Sequence, residues 1–307
     1  MSMNVQILIR SIIALAFIVL ITGSNPIFAQ NELAGDWTAS IAADKPNEIK
    51  LTFERRTNES GKNHMGATYN FADLQGLSRE QVLSGGSVRF SLAREAGRID
   101  CEGSFQNGKG SGTFRFKANQ GFVSAMKSRG FDFEKKSSTS IEERDFENRL
   151  FAAATLNVTT ALADDLLSAN FGKLDVNDLF KAAIFKVDSK FMREMKASGF
   201  PNLGMEELVK ARIFKIDADF VTRVTEMGFD KESFEGLVKM RIFKVTPEFI
   251  TEVRNEGLTN ISVEDLVKMR IFKIDGEFIR QAKAEGVPLE VEKLVQRRIG
   301  VRNKSFK

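Results

Sequence analysis

The sequence predicts an α+β protein in two parts: a small antiparallel β-sandwich or barrel-like domain, then an α-solenoid of helical hairpins. Three observations carry this. Residues 33–117 alternate apolar and polar with period two. From about Phe122 the period changes, and the chain matches itself at an offset of 29 residues. Finally, LVKMRIFKV (Leu237 to Val245) is written again as LVKMRIFKI (Leu266 to Ile274).

The first segment reads as a signal peptide over residues 1–29. A short stretch with one basic residue, Arg10, precedes the apolar run SIIALAFIVLIT (Ser11 to Thr22), and Ile27 and Ala29 stand at the minus-three and minus-one places of a cleavage site. A spanning helix needs roughly 20 apolar residues, so cleavage before Gln30 and export to the periplasm or medium are expected, with retention as an anchor the alternative. Past this segment no long apolar run recurs, so no membrane span is expected after cleavage.

Residues 30–117 form the expected β domain of roughly six strands. DWTASIA places Trp37, Ala39 and Ile41 on one face, and EIKLTFERR does the same with Ile49, Leu51 and Phe53. SVRFSLAR contributes Val88, Phe90 and Leu92. RIDCEGSF contributes Ile99, Cys101, Gly103 and Phe105, and SGTFRF contributes Gly112, Phe114 and Phe116. Alternation with one polar face is the pattern of antiparallel strands on a single core. Turns fall around Gly97 and at Asn107-Gly108, a pair that accepts the positive φ of a tight hairpin. Ser78, with Gln81 three residues on, caps a short helix over Leu77 to Leu83.

Residues 118–149 hold a half-repeat, FVSAMKSRGF (Phe122 to Phe131), and an insertion containing KKSSTS. Residues 150–307 are the tandem α-hairpin repeats, with rows beginning at Leu150, Leu179, Leu208, Leu237 and Leu266 and a shortened sixth at Leu294. Within a row, Thr246, or Asp188, Asp217 and Asp275 elsewhere, caps a helix, with Pro247 at its first position. That helix buries Phe249 and its counterparts Phe191, Phe220 and Phe278. It closes at Gly257, with Gly199, Gly228 and Gly286 at the same station, where a left-handed residue is wanted. The next helix starts at the cap Ser262. Leu266, Met269 and Phe272 or Ile271 line its apolar face, Leu237 and Phe243 do so in the row before, and Lys273 complements its C-terminus. One such pair cannot bury its stripe alone, so the units must stack.

Composition excludes several functions. Cys101 is the only cysteine and His64 the only histidine, so neither an intramolecular disulfide nor a His/Cys zinc site can form. Cys101 reads as a small buried hydrophobe and His64 as a solvated residue in a polar loop. Net charge is +4, with 12 basic and 11 acidic residues over 30–117 and 32 and 30 over 118–307, so no region has the polarisation of a nucleic-acid binder. GKGSG (Gly108 to Gly112) lacks the phosphate-loop spacing and reads as a turn. No HExxH or GxSxG occurs, so no catalytic, cofactor or metal residue is assigned and no cofactor is expected. The sequons at Asn58, Asn157, Asn260 and Asn303 matter only in a eukaryotic secretory pathway. The candidate contact residues are a ladder, Arg212, Arg241, Arg270 and Arg298, at one repeat station, with Lys186, Lys215, Lys244 and Lys273 three residues beyond, a basic stripe that could hold an anionic polymer, a phosphate-bearing lipid head group or an acidic partner segment. The structural alternative is arginine stems over apolar surface and lysines at helix C-termini.

The β segment FADLQGLSREQVLSGGSVRFSLAREAGRIDCEGSFQNGKGSGTFRF, followed by units such as LVKMRIFKVTPEFITEVRNEGL, resembles a family of exported bacterial proteins. Such units are similar to ones fused to, or encoded beside, membrane metallopeptidase sensors of the antirepressor (beta-lactam sensor) type. This chain carries no peptidase segment or zinc motif, so the resemblance transfers no catalytic residue. The expected function is a non-enzymatic exported protein whose repeat surface engages another envelope protein, in sensing or regulation. The alternatives are a small-ligand binder, holding a lipid, glycan or peptide among Trp37, Phe53, Phe90 and Phe114, and a hydrolase with an unidentified acidic site.

Overall fold

The computed structural model describes residues 33–41, 45–56, 62–135, 145–170 and 172–300. The expected signal peptide, most of the insertion after Phe131, and the sequons at Asn58 and Asn303 lie outside them. Two compact units emerge: one runs to Asn119 and includes Leu150–Ala152, the other comprises Gln120–Arg149 and the chain from Ala153.

The first unit is one curled antiparallel sheet of seven strands: β1 (Leu33–Ile41), β2 (Glu48–Arg56), β3 (Lys62–Asn70), β4 (Leu74–Gln75), β5 (Gly86–Arg94), β6 (Gly97–Gln106) and β7 (Lys109–Ala118). Their order is β3-β2-β1-β7-β6-β5-β4. The β6–β7 register pairs Gln106 with Lys109, leaving Asn107 (φ 53°) and Gly108 (φ 74°) as a two-residue turn with both φ positive. Helix α1 (Arg79–Ser84) starts in a full capping box: the Gln81 N–H donates to Ser78 Oγ (3.3 Å) and the Ser78 N–H to Gln81 Oε1 (2.8 Å).

The inward face is aromatic and closed. Trp37, Phe53 and Phe114 are fully buried. Trp37 meets Phe90 edge-on at 5.2 Å, and its indole N–H donates to the Glu102 carbonyl at 3.2 Å, so the polar end of the ring is satisfied inside the core. The ring lies where Gly103 and Gly112 face each other across β6 and β7; a Cβ on Gly103 would come within 2.7 Å of Trp37 Cζ2. Phe151 completes the cluster, stacked on Phe114 at 5.2 Å and edge-on to Phe53 at 5.6 Å and Phe116 at 5.4 Å.

Strand β3 corrects the expectation of a loop around His64. KNHMGATYN shows little apolar alternation because β3 is an edge strand, paired on one side only, with His64, Gly66 and Thr68 exposed. His64 stays solvated, its Nδ1 3.9 Å from Glu54.

The second unit contains twelve helices among the described residues. They are α2 (Gln120–Ser128), α3 (Asp145–Thr155), α4 (Thr160–Ser168), α5 (Val176–Phe185), α6 (Ser189–Ala197), α7 (Met205–Phe214), α8 (Ala218–Glu226), α9 (Phe234–Ile242), α10 (Pro247–Asn255), α11 (Val263–Ile271), α12 (Gly276–Ala284) and α13 (Val291–Arg298). Like stacks on like. The LVKMRIF-type helices α5, α7, α9, α11 and α13 pack one on the next, and the second helices form another row in which α4 meets α2 and α6 while α10 meets α12.

The caps explain the boundaries. The N–H groups of Phe191, Phe220, Phe249 and Phe278 donate to the side chains of Asp188 (2.8 Å), Asp217 (2.8 Å), Thr246 (3.3 Å) and Asp275 (2.9 Å). These are the four repeated phenylalanines, each at most 8 % exposed, and burying each side chain contributes about 1.5–3 kcal/mol. Gly199, Gly228, Gly257 and Gly286 all have φ between 76° and 104°. At Gly257 the Leu258 N–H reaches the Val253 carbonyl (3.3 Å) and the Gly257 N–H the Arg254 carbonyl (3.0 Å), the paired bonds of a Schellman end.

Candidate docking surface

The LVKMRIF-type helices end in the same motif with a different residue. The Val245 N–H bonds the Met240 carbonyl (2.9 Å) and the Lys244 N–H the Arg241 carbonyl (3.4 Å), which puts Lys244 where glycine is usual. Lys186, Lys215, Lys244 and Lys273 have φ of 58°, 55°, 54° and 54°. Asn157 (φ 55°) holds the station in the first row, and Gly300 (φ 77°) closes the last helix. A left-handed conformation costs a side-chain-bearing residue about 1–2 kcal/mol; a cation at a helix C-terminus returns about 0.3–1 kcal/mol. The lysines are therefore tolerated there, not preferred by the backbone.

This ending settles which residues face out. Leu237, Val238 and Met240 are buried, so on a 100° rotation per residue Glu235, Lys239 and Ile242 fall together on the opposite face. Of the two alternatives for the apolar face, Ile271 is accordingly 52 % exposed, whereas Phe272, like Phe243 in the row before, is half-buried. Every equivalent isoleucine is out: Ile184 51 %, Ile213 52 %, Ile242 49 %, Ile271 52 % and Ile299 55 %. They make up five of the seven exposed large hydrophobic side chains among the described residues; the others are Leu83 and Leu167.

Charged rows run beside this ridge. Lys181 and Lys210 reach across to the next helix and bond Glu206 (2.5 Å) and Glu235 (2.8 Å). Lys239 and Lys268 do the same with Glu264 and Glu292. The glutamate hydrogen bond raises the pKa of all four lysines, so this inner cation row is neutralised within the array. The outer row, Lys186, Lys215, Lys244 and Lys273, is exposed and has no ion pair among the described residues.

The arginine ladder is committed inward. Arg212 lies over Phe191 and Arg241 over Phe220, each with Cζ 3.7 Å from the ring centre, and Arg270 and Arg298 take similar places over Phe249 and Phe278 at 4.7 Å. Arg241 Nη2 donates to the Lys215 carbonyl (2.6 Å), Arg270 Nε to the Phe243 carbonyl (3.2 Å), and Arg298 to the carbonyls of Phe272 (2.9 Å) and Lys273 (2.6 Å). Each of these three arginines thus caps the open carbonyl end of the previous helix in its row. Burial lowers the pKa of Arg241, the mark of a cation partly withdrawn from water. The outward cations are lysines two residues past the isoleucines; the R-I-F-K string contains both, but only the backbone turn at the lysine tells them apart.

In the sheet unit, a groove of about 660 Å³ lies over the polar face of β5–β7, bordered by Arg89, Arg98, Asp100, Glu102, Thr113 and Arg115. Cys101 is buried, and desolvation pushes its thiol well above the ordinary range. Among the described residues no three His, Cys, Asp or Glu side chains converge as metal ligands, and no single helix is long and apolar enough to cross a membrane. Comparison with protein-family models, curated proteins and solved structures finds no match for this chain.

Proposed function

We propose that the chain is a non-enzymatic exported docking protein whose helical-repeat surface engages another envelope protein. One observation carries the reading: apolar exposure is concentrated at a single station of five of the six units, five isoleucines in register. Scattered exposed apolar residues are ordinary, whereas an aligned set marks an interaction surface. The resemblance to units associated with antirepressor-type sensors makes envelope sensing or regulation the setting. The test is crosslinking and pull-down from the native envelope with wild type and with Ile213→Ser/Ile242→Ser/Ile271→Ser. A partner captured by wild type and lost with the triple variant is expected; identical capture by both defeats the proposal.

A small-ligand reading has its own support in the groove over β5–β7, where three arginines border the space. It favours a polar or anionic ligand over a lipid held among the aromatic rings. Calorimetric titration with anionic oligosaccharides, expected to lose its heat in Arg115→Ala, separates it from the docking proposal.

A further inference from the structure

Building on the docking proposal, we infer that the occupant of the isoleucine ridge is an acidic polypeptide segment laid along the stack, with apolar side chains recurring at the repeat spacing.

Charge complementarity carries the choice. On the exposed faces of α7, α9 and α11, four features follow along the axis: a glutamate, a lysine paired to the next unit, the isoleucine, and the lysine that ends the helix; α5 shares the last three. Only the last, Lys186, Lys215, Lys244 and Lys273, is left without an anion among the described residues. A ligand in contact with the ridge therefore meets apolar surface on one side and a row of bare ammonium groups on the other. Apolar side chains cover the first, and carboxylates supplied at that edge neutralise the second.

Two other occupants fit less well. A bilayer is planar, and the glutamate row stands seven residues before the isoleucines, about 10 Å along the same face. An anionic lipid surface touching the ridge would press on those carboxylates too. A second copy would bring its own lysines. A two-fold parallel to the helix axes sets lysine row on lysine row, a like-charge juxtaposition that is penalised, and a two-fold along the stack leaves both rows flanking the shared isoleucines with no carboxylate to meet them. A single peptide is narrow enough to cover the isoleucine and outer lysine rows alone.

The spacing favours an extended chain. Adjacent packed helices stand about 8–10 Å apart, and a polyproline-II segment advances about 9.3 Å in three residues. An apolar residue at every third position then meets each isoleucine in turn, with acids between them beside the lysines.

The experiment uses the full chain and a fluorescein-labelled peptide of five Leu-Glu-Pro repeats, read by anisotropy. Controls are the same peptide with Lys for Glu, vesicles rich in phosphatidylglycerol, and sedimentation for self-association. Binding of the acidic peptide is expected, weakened at least tenfold in Lys186→Gly/Lys215→Gly/Lys244→Gly/Lys273→Gly and in the triple isoleucine variant, and falling as salt rises. Glycine suits the left-handed turn, so the lysine variant keeps its fold; the matching Asn variant, which copies the residue the first row carries at Asn157, serves if it does not. No binding by the acidic peptide, binding insensitive to the lysines, tighter binding of vesicles, or ridge-mediated dimers would each overturn the inference. If the peptide fails while the envelope partner is still lost from the isoleucine variant, the docking proposal stands and only the assigned occupant falls; unchanged envelope capture sinks the proposal itself.

Discussion

Replacing Arg241 with Met should destabilise the helical unit by about 2 kcal/mol. The substitution keeps an apolar stem and similar helix propensity, so it removes only what the guanidinium does. Its stacking at 3.7 Å over Phe220 is worth about 1 kcal/mol for a half-buried cation. The bond to the Lys215 carbonyl contributes about 1.5 kcal/mol, the lower end for a charged donor. Relief of the burial that lowers the Arg241 pKa offsets part of that sum, leaving about 2 kcal/mol and a fall in Tm of roughly 4–8 °C for a unit of this size. Urea unfolding followed by circular dichroism measures the loss, and a double-mutant cycle with Phe220→Leu should return a coupling of about 1 kcal/mol. Arg193→Met, at an exposed position, is the control and should stay within about 0.5 kcal/mol of wild type. A neutral Arg241→Met, or zero coupling, would refute the inward assignment and make the arginines candidate partner contacts again.

Gly112→Ala places a Cβ 2.0 Å from the Glu102 carbonyl oxygen, a backbone collision that should cost about 3 kcal/mol or more by forcing β6 and β7 apart; loss of the Trp37 fluorescence shift in the folded state would report it. Lys244→Gly should be at least as stable as wild type, because relief at φ 54° outweighs glycine's chain entropy, whereas Lys244→Val should lose about 1–2 kcal/mol; the reverse order in thermal melts would show that the turn is not the constraint. Cys101 should resist thiol reagents until the chain unfolds, its thiol held neutral first by burial and then by Asp100. Burial likewise raises the Tyr69 phenol. Because both pKa values are raised in the fold, the stability they contribute is complete below the unfolded values of about 8.5 and 10 and is lost as pH climbs beyond them. A Tm that is flat from pH 8 to 11, or equal slopes in Cys101→Ser and Tyr69→Phe, would contradict this.

The sequence made most of the fold legible because period and caps are local signals. The alternation in EIKLTFERR and SVRFSLAR marks two strands outright, and Asp188, Asp217, Thr246 and Asp275 announce a helix wherever they stand. What escaped was set by context. KNHMGATYN carries little pattern because an edge strand has less to bury. In I-F-K the isoleucine and phenylalanine are equally apolar, and no periodicity decides which faces out until the lysine is known to turn left-handed. Glycine would have advertised that turn; lysine hides it. The same ambiguity misplaced attention at the candidate site: Arg241 and Lys244 look like equal members of a basic stripe, yet one is bound to the neighbouring helix and the other is free in water.

The cross-helix bonds have a consequence for how the array can change in length. The units built on α9 and α11 each offer a glutamate to the lysine behind and an arginine to the carbonyl end behind, and each presents its own lysine and carbonyls to the unit ahead. Donor and acceptor sit on opposite sides of the same 29-residue block. Removing or duplicating one whole block therefore rejoins matching halves and strands no partner. Length becomes a quantity that a single recombination event can adjust in whole steps, each adding one isoleucine and one bare lysine to the ridge. The reach of whatever docks there would then be counted in units, not residues.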